Sequence, residues 1–232
     1  MKKNNLNFAN PINVLLIPDG NRRAARSAGL SYKETYKLAC KIAYESVLFF
    51  LSRPFVKTYG IFGLSYDNLS RHSEEVAPVL EAQNKLYHFL TDNHVFSKRG
   101  IKVNFVGELE ITPPKYQEVA RKLEKETADG DKQFYALIGY DGQREITRAL
   151  RRARWAKRVN LDEKEIFEFL DIKHSIDLII RTGGEKRISG APLYQSKYAE
   201  FVVVEQYFPF CGENEWRKAL NDFNNRQRRF GR

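Results

Sequence analysis

Three short segments of the sequence place arginine beside glycine, serine or asparagine, a composition suited to binding phosphate. They are Asp19–Arg23, Ser65–Arg71 and Arg181–Ser189. Arginine suits a diphosphate because its planar guanidinium donates two parallel hydrogen bonds, and each charge-assisted bond contributes about 1.5–3 kcal/mol. Small residues between the arginines let backbone N–H groups approach the same anion. The three segments therefore predict a diphosphate site.

Asp19 is a carboxylate among these cations, and this arrangement predicts a Mg²⁺ site. Magnesium characteristically uses one or two carboxylates together with substrate phosphates. Each segment taken alone is also typical of an ordinary turn or a solvated loop, so the prediction depends on their joint placement. The sequence contains no Walker A loop, and no GxGxxG motif follows the first apolar run, so nucleotide phosphoryl transfer is not supported.

The elements that must position these segments alternate between short apolar runs and longer stretches of helical periodicity. The predicted strands are 13–18, 56–65, 101–107, 134–140, 176–181 and 201–204; the predicted helices are 32–51, 73–96, 113–127, 143–158, 162–170 and 214–228. This alternation predicts a single α/β domain over residues 1–232, with a mostly parallel central sheet flanked by helices. Ligands bind beyond the carboxyl ends of such strands, where the three segments fall.

Composition narrows the class of protein without choosing a substrate. Of 232 residues, 42% are hydrophobic and 13% aromatic, which excludes a disordered chain and provides side chains to line an apolar cavity. The net charge of +10 favours polyanionic partners. Two distant cysteines, no zinc-ligand spacing and no long apolar stretch predict a cytoplasmic protein, with peripheral membrane contact still allowed.

From about Val14 to its C-terminus the sequence resembles the cis-prenyltransferases, the undecaprenyl diphosphate synthase family. The most specific matches are Ile180–Ser189, followed by Gln195 and Tyr198–Glu200, and the tail Asn225–Gly231. The resemblance implies an α/β fold with an apolar substrate tunnel, a homodimer, Mg²⁺ as cofactor and isoprenoid diphosphates as substrates. It implies coupling of an allylic diphosphate with isopentenyl diphosphate to form a Z double bond, and no nucleic-acid partner.

The resemblance also assigns roles to individual residues. Asp19 would bind Mg²⁺, and Glu200 would be a second contact of the ion. Asn68 and Arg71 match positions linked to proton removal and diphosphate handling. The residues implied or suspected to bind substrate are Gly20, Asn21, Arg22, Arg23, Tyr32, Tyr36, Ser65, Arg181, Arg187 and Ser189, together with Arg229 and Gly231 in a C-terminal element that completes the neighbouring subunit's site.

Several departures from the family pattern cluster around the expected site. Arg22 stands where glycine is usual, and Ala24 where tryptophan is usual. Tyr32 and Tyr36 replace the usual arginine and histidine. This clustering suggests altered substrate geometry, so one alternative is an enzyme that joins two units irregularly, head to middle, or makes short products. Aromatic residues within 77–93 favour a short tunnel only slightly, because such residues on helices usually belong to the core.

The segment Arg144–Arg158 supports two other interpretations. Its seven cations and Trp155 are compatible with a nucleic-acid-binding helix, and also with contact to anionic lipid, which would leave catalysis unaffected. A solvated helix face explains the same pattern more simply. A third alternative, a partner subunit of a heteromeric prenyltransferase, is disfavoured because such subunits typically lose several of the residues Asp19, Arg181, Arg187 and Ser189.

Overall fold

Six parallel strands cross the computed structural model, which describes residues 10–158 and 160–228. They are β1 (Ile12–Ile17), β2 (Val56–Ser65), β3 (Ile101–Val106), β4 (Lys132–Tyr140), β5 (Leu178–Thr182) and β6 (Glu200–Val204). The order across the sheet is β3-β4-β2-β1-β5-β6, and every neighbouring pair is parallel. All carboxyl ends therefore lie along one edge of the sheet, and β1, β2 and β5 are adjacent there.

Seven α-helices accompany the sheet within the described ranges. They are α1 (Asn21–Ala28), α2 (Tyr32–Leu51), α3 (Tyr66–Leu69), α4 (Ser73–Asp92), α5 (Pro114–Glu126), α6 (Gly142–Trp155) and α7 (Glu213–Asn225). Helices α2, α4, α5 and α7 pack on one face of the sheet. The opposite face is covered by the segments 170–176 and 188–195, which the buried carboxylate of Glu145 ties to α6.

Alternation along the strands explains why both faces are covered. In β1, Val14 and Leu16 point into the core beneath α2 and α4, whereas Leu15 and Ile17 point to the opposite face. A strand that is apolar on both sides must be buried on both sides, as parallel sheets generally are. This packing confirms the predicted α/β class and all six predicted strands, with ends that differ by at most two residues.

One predicted helix, 162–170, is wrong. Only a single 3₁₀ turn, Glu165–Glu168, forms there. Asp162 accepts the backbone N–H groups of Lys164 and Glu165, which starts a turn. The chain must then leave any helix, because the next N–H groups, from residues 171 and 172, donate to the buried carboxylate of Glu145.

No helix among the described residues combines the length and apolarity needed to cross a bilayer. Cys40 and Cys211 are both free thiols.

Candidate active site

The first functional segment begins directly where β1 ends. Gly20 has φ 97°, a left-handed conformation that glycine adopts without a steric penalty. A Cβ atom there would lie 2.8 Å from the Tyr207 ring. The turn carries the chain into α1 at Asn21 and directs Asp19 toward the carboxyl edge of the sheet, where the Gly20 N–H donates to Asp19 Oδ1 at 2.6 Å.

Arg181, in β5, connects Asp19 to the third segment. One terminal nitrogen of its guanidinium donates to Asp19 Oδ2 at 2.6 Å, and the other donates to Ser189 Oγ at 3.0 Å and to the Arg187 carbonyl. Arg181 is only 4% exposed. A buried charge persists only when it is paired and hydrogen-bonded, so Asp19 and Arg181 hold each other in a fixed orientation.

The backbone at the end of β5 approaches β1 closely. Thr182 Oγ1 donates to the Asp19 carbonyl at 2.8 Å. Gly183 has φ 81°, and a Cβ atom there would lie 3.1 Å from the Asp19 carbonyl oxygen and 2.9 Å from the guanidinium of Arg23. The glycine therefore lets the two strand ends come together, and Asp19 is anchored through both its side chain and its backbone.

These contacts keep Asp19 ionised. Burial raises the pKa of its carboxyl group, but the hydrogen bonds from Arg181 and Gly20 and the charges of Arg181 and Arg23 outweigh burial, so the pKa lies below the ordinary value. A carboxylate that is ionised at neutral pH can accept a metal cation as well as guanidinium groups.

A polar cavity of about 510 Å³ opens above these residues. It brings together most of the predicted site residues in one lining. The lining includes Asp19, Gly20, Asn21, Arg22, Arg23, Tyr36, Ser65, Asn68, Arg71, Arg181, Arg187 and Ser189. Tyr32 is not part of this lining and lies one helical turn before Tyr36. Arg229 and Gly231 lie outside the described residues.

Glu200 is not brought to Asp19 within one chain. It begins β6 and pairs with Leu178, which pairs with Val14. The end of β1 at Ile17 lies about 10 Å further along the strands, and Asp19 lies beyond it. The Glu200 carboxylate accepts a hydrogen bond from Arg226 at 3.0 Å instead. Asp19 and Glu200 of the same chain therefore cannot hold one ion.

Two acidic residues that the sequence analysis missed pair with arginines of the first segment. Glu75, in the first turn of α4, lies 3.1 Å from Arg22. Glu185 lies 3.0 Å from Arg23 and also pairs with Arg187. The position of Glu185 inside the third segment could have indicated that it belongs to the site. No sequence pattern indicates the same for Glu75, because only the packing of α4 brings it to the cavity.

The second segment forms the short helix α3 at the end of β2. Ser65 caps this helix by accepting the backbone N–H of Asn68 at 3.1 Å, so its hydroxyl has a structural task in addition to lining the cavity. Arg71 is exposed, and its guanidinium has no hydrogen-bond or ion-pair partner among the described residues. Arg71 is therefore available to a ligand.

An apolar pocket of about 80 Å³ adjoins the polar cavity between α2, α4 and the sheet. Asn21, Tyr36 and Val79 line both spaces and so mark the passage between them. Burial raises the pKa of Tyr36 although nearby arginines lower it, so its hydroxyl stays neutral and can donate a hydrogen bond. The remaining wall is mainly apolar and includes the aromatic rings of Tyr44, Tyr87, Phe96 and Phe134.

The donor groups around Asp19 suit a magnesium ion. Asp19 supplies a carboxylate, and Asn21 supplies an amide oxygen that is buried and has no hydrogen-bond partner among the described residues. Magnesium prefers such oxygen ligands and completes its shell with water and phosphate. The described residues contain no cluster of three or more His, Cys, Asp or Glu side chains placed to hold a metal.

Comparison with known proteins agrees with this geometry. The family model for undecaprenyl diphosphate synthase matches residues 17–231. The tritrans,polycis-undecaprenyl-diphosphate synthase (geranylgeranyl-diphosphate specific) of Pyrobaculum aerophilum is 30% identical over 231 residues, covering 96% of each chain. An isoprenyl transferase of Thermus thermophilus is 33% identical over 235 residues, covering 96% of this chain and 89% of its own.

The fold leads to the same group of enzymes. The crystal structure of lavandulyl diphosphate synthase from Lavandula x intermedia, in complex with dimethylallyl diphosphate, has a TM-score of 0.88 and 25% sequence identity, covering 96% of this chain and 98% of that one. The family match and the identities over nearly the whole chain confirm the resemblance based on Ile180–Ser189, and this chain belongs to the undecaprenyl diphosphate synthase family, a prenyltransferase of the cis type.

Proposed function

We propose that this prenyltransferase couples an allylic diphosphate with isopentenyl diphosphate in a Mg²⁺-dependent reaction that releases diphosphate. The observation that carries this proposal is the Asp19–Arg181 pair, at 2.6 Å, in a cationic cavity that adjoins an apolar pocket. A substrate with a diphosphate head and a hydrocarbon tail matches both spaces at once.

Two groups of donors support two diphosphate positions. Gly20, Asn21 and Arg23 surround the start of α1, which lies beside the apolar pocket. They suit the allylic substrate, because its tail can then enter the pocket. Arg187 and Ser189 lie with Arg181 on the other side of Asp19. They suit the diphosphate of isopentenyl diphosphate, whose short tail needs no pocket.

The reaction in this arrangement is ionisation, condensation and elimination. The allylic C–O bond breaks, and its electron pair leaves with the diphosphate, which arginine side chains stabilise. The double bond of isopentenyl diphosphate attacks the allylic cation, and loss of a proton forms the new Z double bond. An amide is too weak a base to retain a proton, so we assign Asn68 an orienting role and assign the proton to an oxygen of the released diphosphate.

Magnesium fits beside Asp19, where it would neutralise charge on the departing diphosphate. Asp19 and the Asn21 amide oxygen are the groups of this chain that would hold it. The Arg181 guanidinium fixes the Asp19 carboxylate from the other side, so that one carboxylate serves both the cation and the buried arginine.

A second candidate is short-chain or head-to-middle coupling of two isoprenyl units. The small apolar pocket, closed by stacked rings of Tyr44 and Phe96, supports a short product. The likeness to lavandulyl diphosphate synthase and the departures at Arg22, Tyr32 and Tyr36 favour a changed orientation of the allylic diphosphate.

We further propose that the enzyme is cytoplasmic and acts as a homodimer. Arg226 and Arg228 bind Glu200 and Asp177, which lie near the amino ends of β6 and β5, far from the chain's own cavity. Glu200 could therefore contribute to a site of this kind only in a second copy, and the family resemblance gives the same role to the C-terminal element with Arg229 and Gly231.

The test incubates the purified enzyme and Mg²⁺ with isopentenyl diphosphate and, in turn, dimethylallyl, geranyl, farnesyl and geranylgeranyl diphosphate. Mass spectrometry and NMR then give the length and connectivity of each product. Consumption of isopentenyl diphosphate with new Z double bonds supports regular coupling. A branched product from dimethylallyl diphosphate alone supports the second candidate. No product from any substrate pair, with a folded enzyme, refutes both.

A further inference from the structure

The cations of α6 and of the turn that follows it, Lys157 and Arg158, divide into two groups with different surroundings. Arg144 and Arg148 pair with Glu108, Arg148 and Arg152 pair with Asp171, and Arg158 pairs with Glu165. These ion pairs attach one side of the helix to neighbouring loops. The basic character that suggested a nucleic-acid helix is therefore largely neutralised on that side.

The other group consists of Arg151, Arg154 and Lys157, which are exposed and have no carboxylate partner among the described residues. Arg151 and Arg154 are three positions apart and so are neighbours on the helix surface, where like charges repel. Because no carboxylate among the described residues offsets this repulsion, an anionic ligand bound at this surface would relieve it.

Two large apolar side chains stand among these cations. Trp155 is 82% exposed and Leu150 is 55% exposed. Leu150 lies four positions before Arg154, and Arg151 four positions before Trp155, so the four side chains form one continuous patch. We call Leu150, Arg151, Arg154, Trp155 and Lys157 the α6 tip.

We propose that the α6 tip docks the enzyme on an anionic lipid surface. Tryptophan and leucine suit the boundary between headgroups and acyl chains, while arginine and lysine attract anionic headgroups. The charge argues against a second copy of the chain, because a two-fold contact through the tip would oppose three uncompensated cations to the same three. The apolar side chains argue for lipid over nucleic acid, because Trp155 is the one ring of the tip on which a base could stack, whereas exposed Leu150 suits only an acyl boundary.

This inference does not depend on which product the enzyme makes. Helix α6 runs from Gly142, at the carboxyl edge of the sheet, toward the opposite edge. The α6 tip therefore lies away from the polar cavity, and docking through it leaves the entrance to the cavity open.

The test measures binding of the full chain to vesicles of phosphatidylcholine with and without phosphatidylglycerol, at low and at physiological salt. We expect salt-sensitive binding to the anionic vesicles only. The triple variant R151E/R154E/K157E should lower the partition coefficient on the order of 100-fold. The matched control K115E/R121E/K125E makes the same charge change on exposed positions of α5 and should have a much smaller effect.

Tryptophan fluorescence provides a second readout, because the chain has only two tryptophans and Trp216 is buried. The emission of Trp155 should shift to shorter wavelength on anionic vesicles, and Trp155→Phe should abolish the shift. Absence of vesicle binding, or equal losses in both triple variants, would overturn the proposal. So would loss of oligonucleotide binding or of self-association in R151E/R154E/K157E while vesicle binding stays unchanged.

Discussion

The floor and the rim of the polar cavity are built differently. The floor, made of Asp19, Arg181, Thr182 and Ser189, is closely hydrogen-bonded, and its arginine is almost fully buried. The rim, made of Arg22, Tyr36, Arg71 and Glu75, is more exposed, and Arg22–Glu75 is its one ion pair among the described residues. The floor keeps the residue types of the family pattern, whereas the rim departs from them at Arg22 and Tyr36.

This difference suggests a division of work. A rigid, preorganised floor suits charge stabilisation during bond cleavage, because its dipoles need not reorganise. A looser rim can vary without loss of that chemistry, and it lies where the allylic substrate would enter the apolar pocket. We therefore expect substitutions in the floor to lower turnover and substitutions in the rim to change substrate affinity or product.

The largest effect is expected from Asp19→Asn. Loss of the carboxylate removes the partner of Arg181 and the proposed ligand of Mg²⁺, so kcat should fall at least about 1000-fold. The matched control is Asp67→Asn, an exposed carboxylate that lines the same cavity on the rim side, with an expected loss of less than about fivefold. Incorporation of radiolabelled isopentenyl diphosphate measures both.

Two controls accompany that comparison. Circular dichroism must show folded Asp19→Asn at the assay temperature, because breaking a buried ion pair can cost about 3–5 kcal/mol. EDTA should abolish turnover of the native enzyme, and Mg²⁺ should restore it. Similar losses in Asp19→Asn and Asp67→Asn would contradict the distinction between floor and rim.

A smaller effect, with opposite signs, is expected from the rim pair. Arg22→Ala should raise the KM for the allylic diphosphate about 10–100-fold with little change in kcat, since it removes a charge-assisted contact made equally in ground and transition states. Glu75→Gln should lower this KM, because it frees Arg22 from its ion pair.

Steady-state kinetics at saturating isopentenyl diphosphate distinguish these outcomes. Arg26→Ala is the matched control: Arg26 lies one turn further along α1 and lines the same cavity, but forms no ion pair among the described residues. It should change KM less than about fivefold. If both Arg22→Ala and Glu75→Gln raise KM, the pair acts by positioning α1 and not by competing for the diphosphate.

Much of the floor could be predicted from the sequence because its residues lie at or just after the ends of predicted strands. Asp19 follows the first apolar run, Arg181 lies at the end of the fifth, and Ser189 lies in the loop after it, so the rule that parallel strands gather ligands at their carboxyl ends brings them together. The start of α2 at Tyr32 was also predictable, since Ser31 and Glu34 form a capping box.

Three features could not be predicted from the sequence because they depend on tertiary structure. The contact of Glu75 with Arg22 spans 53 positions and arises from the packing of α4, so no local pattern indicates it. Glu200 matches the family pattern by residue type, yet the register of β6 places it at the far end of the strand. The helix predicted over 162–170 failed because Glu145, distant in sequence, captures the backbone N–H groups that follow.

The apolar pocket gives a prediction about product length. Phe96 is buried at the inner wall of the pocket and stacks on Tyr44. Phe96→Leu should extend the pocket and shift the products toward longer chains. Phe50→Leu, an equally buried phenylalanine of the same core that does not line the pocket, should not. Both should lose on the order of 1–3 kcal/mol of unfolding free energy, so mass spectrometry of the products separates length from stability.

The smallest expected effect concerns the pH dependence of stability. The pKa of Asp19 is lower in the folded chain than its ordinary value, so the unfolded state binds more protons than the folded state in the window just below about pH 4. Stability from this group is therefore fully present above the ordinary pKa and is lost as pH falls through the folded pKa. Asp19→Asn should flatten this part of the profile, measured as the difference in unfolding free energy between native and variant near neutral pH and near roughly pH 3. If the unfolding free energy of the variant decreases with falling pH as much as that of the native enzyme, Arg181 and Gly20 do not favour the ionised carboxyl group. The floor would then not be preorganised around a charged Asp19.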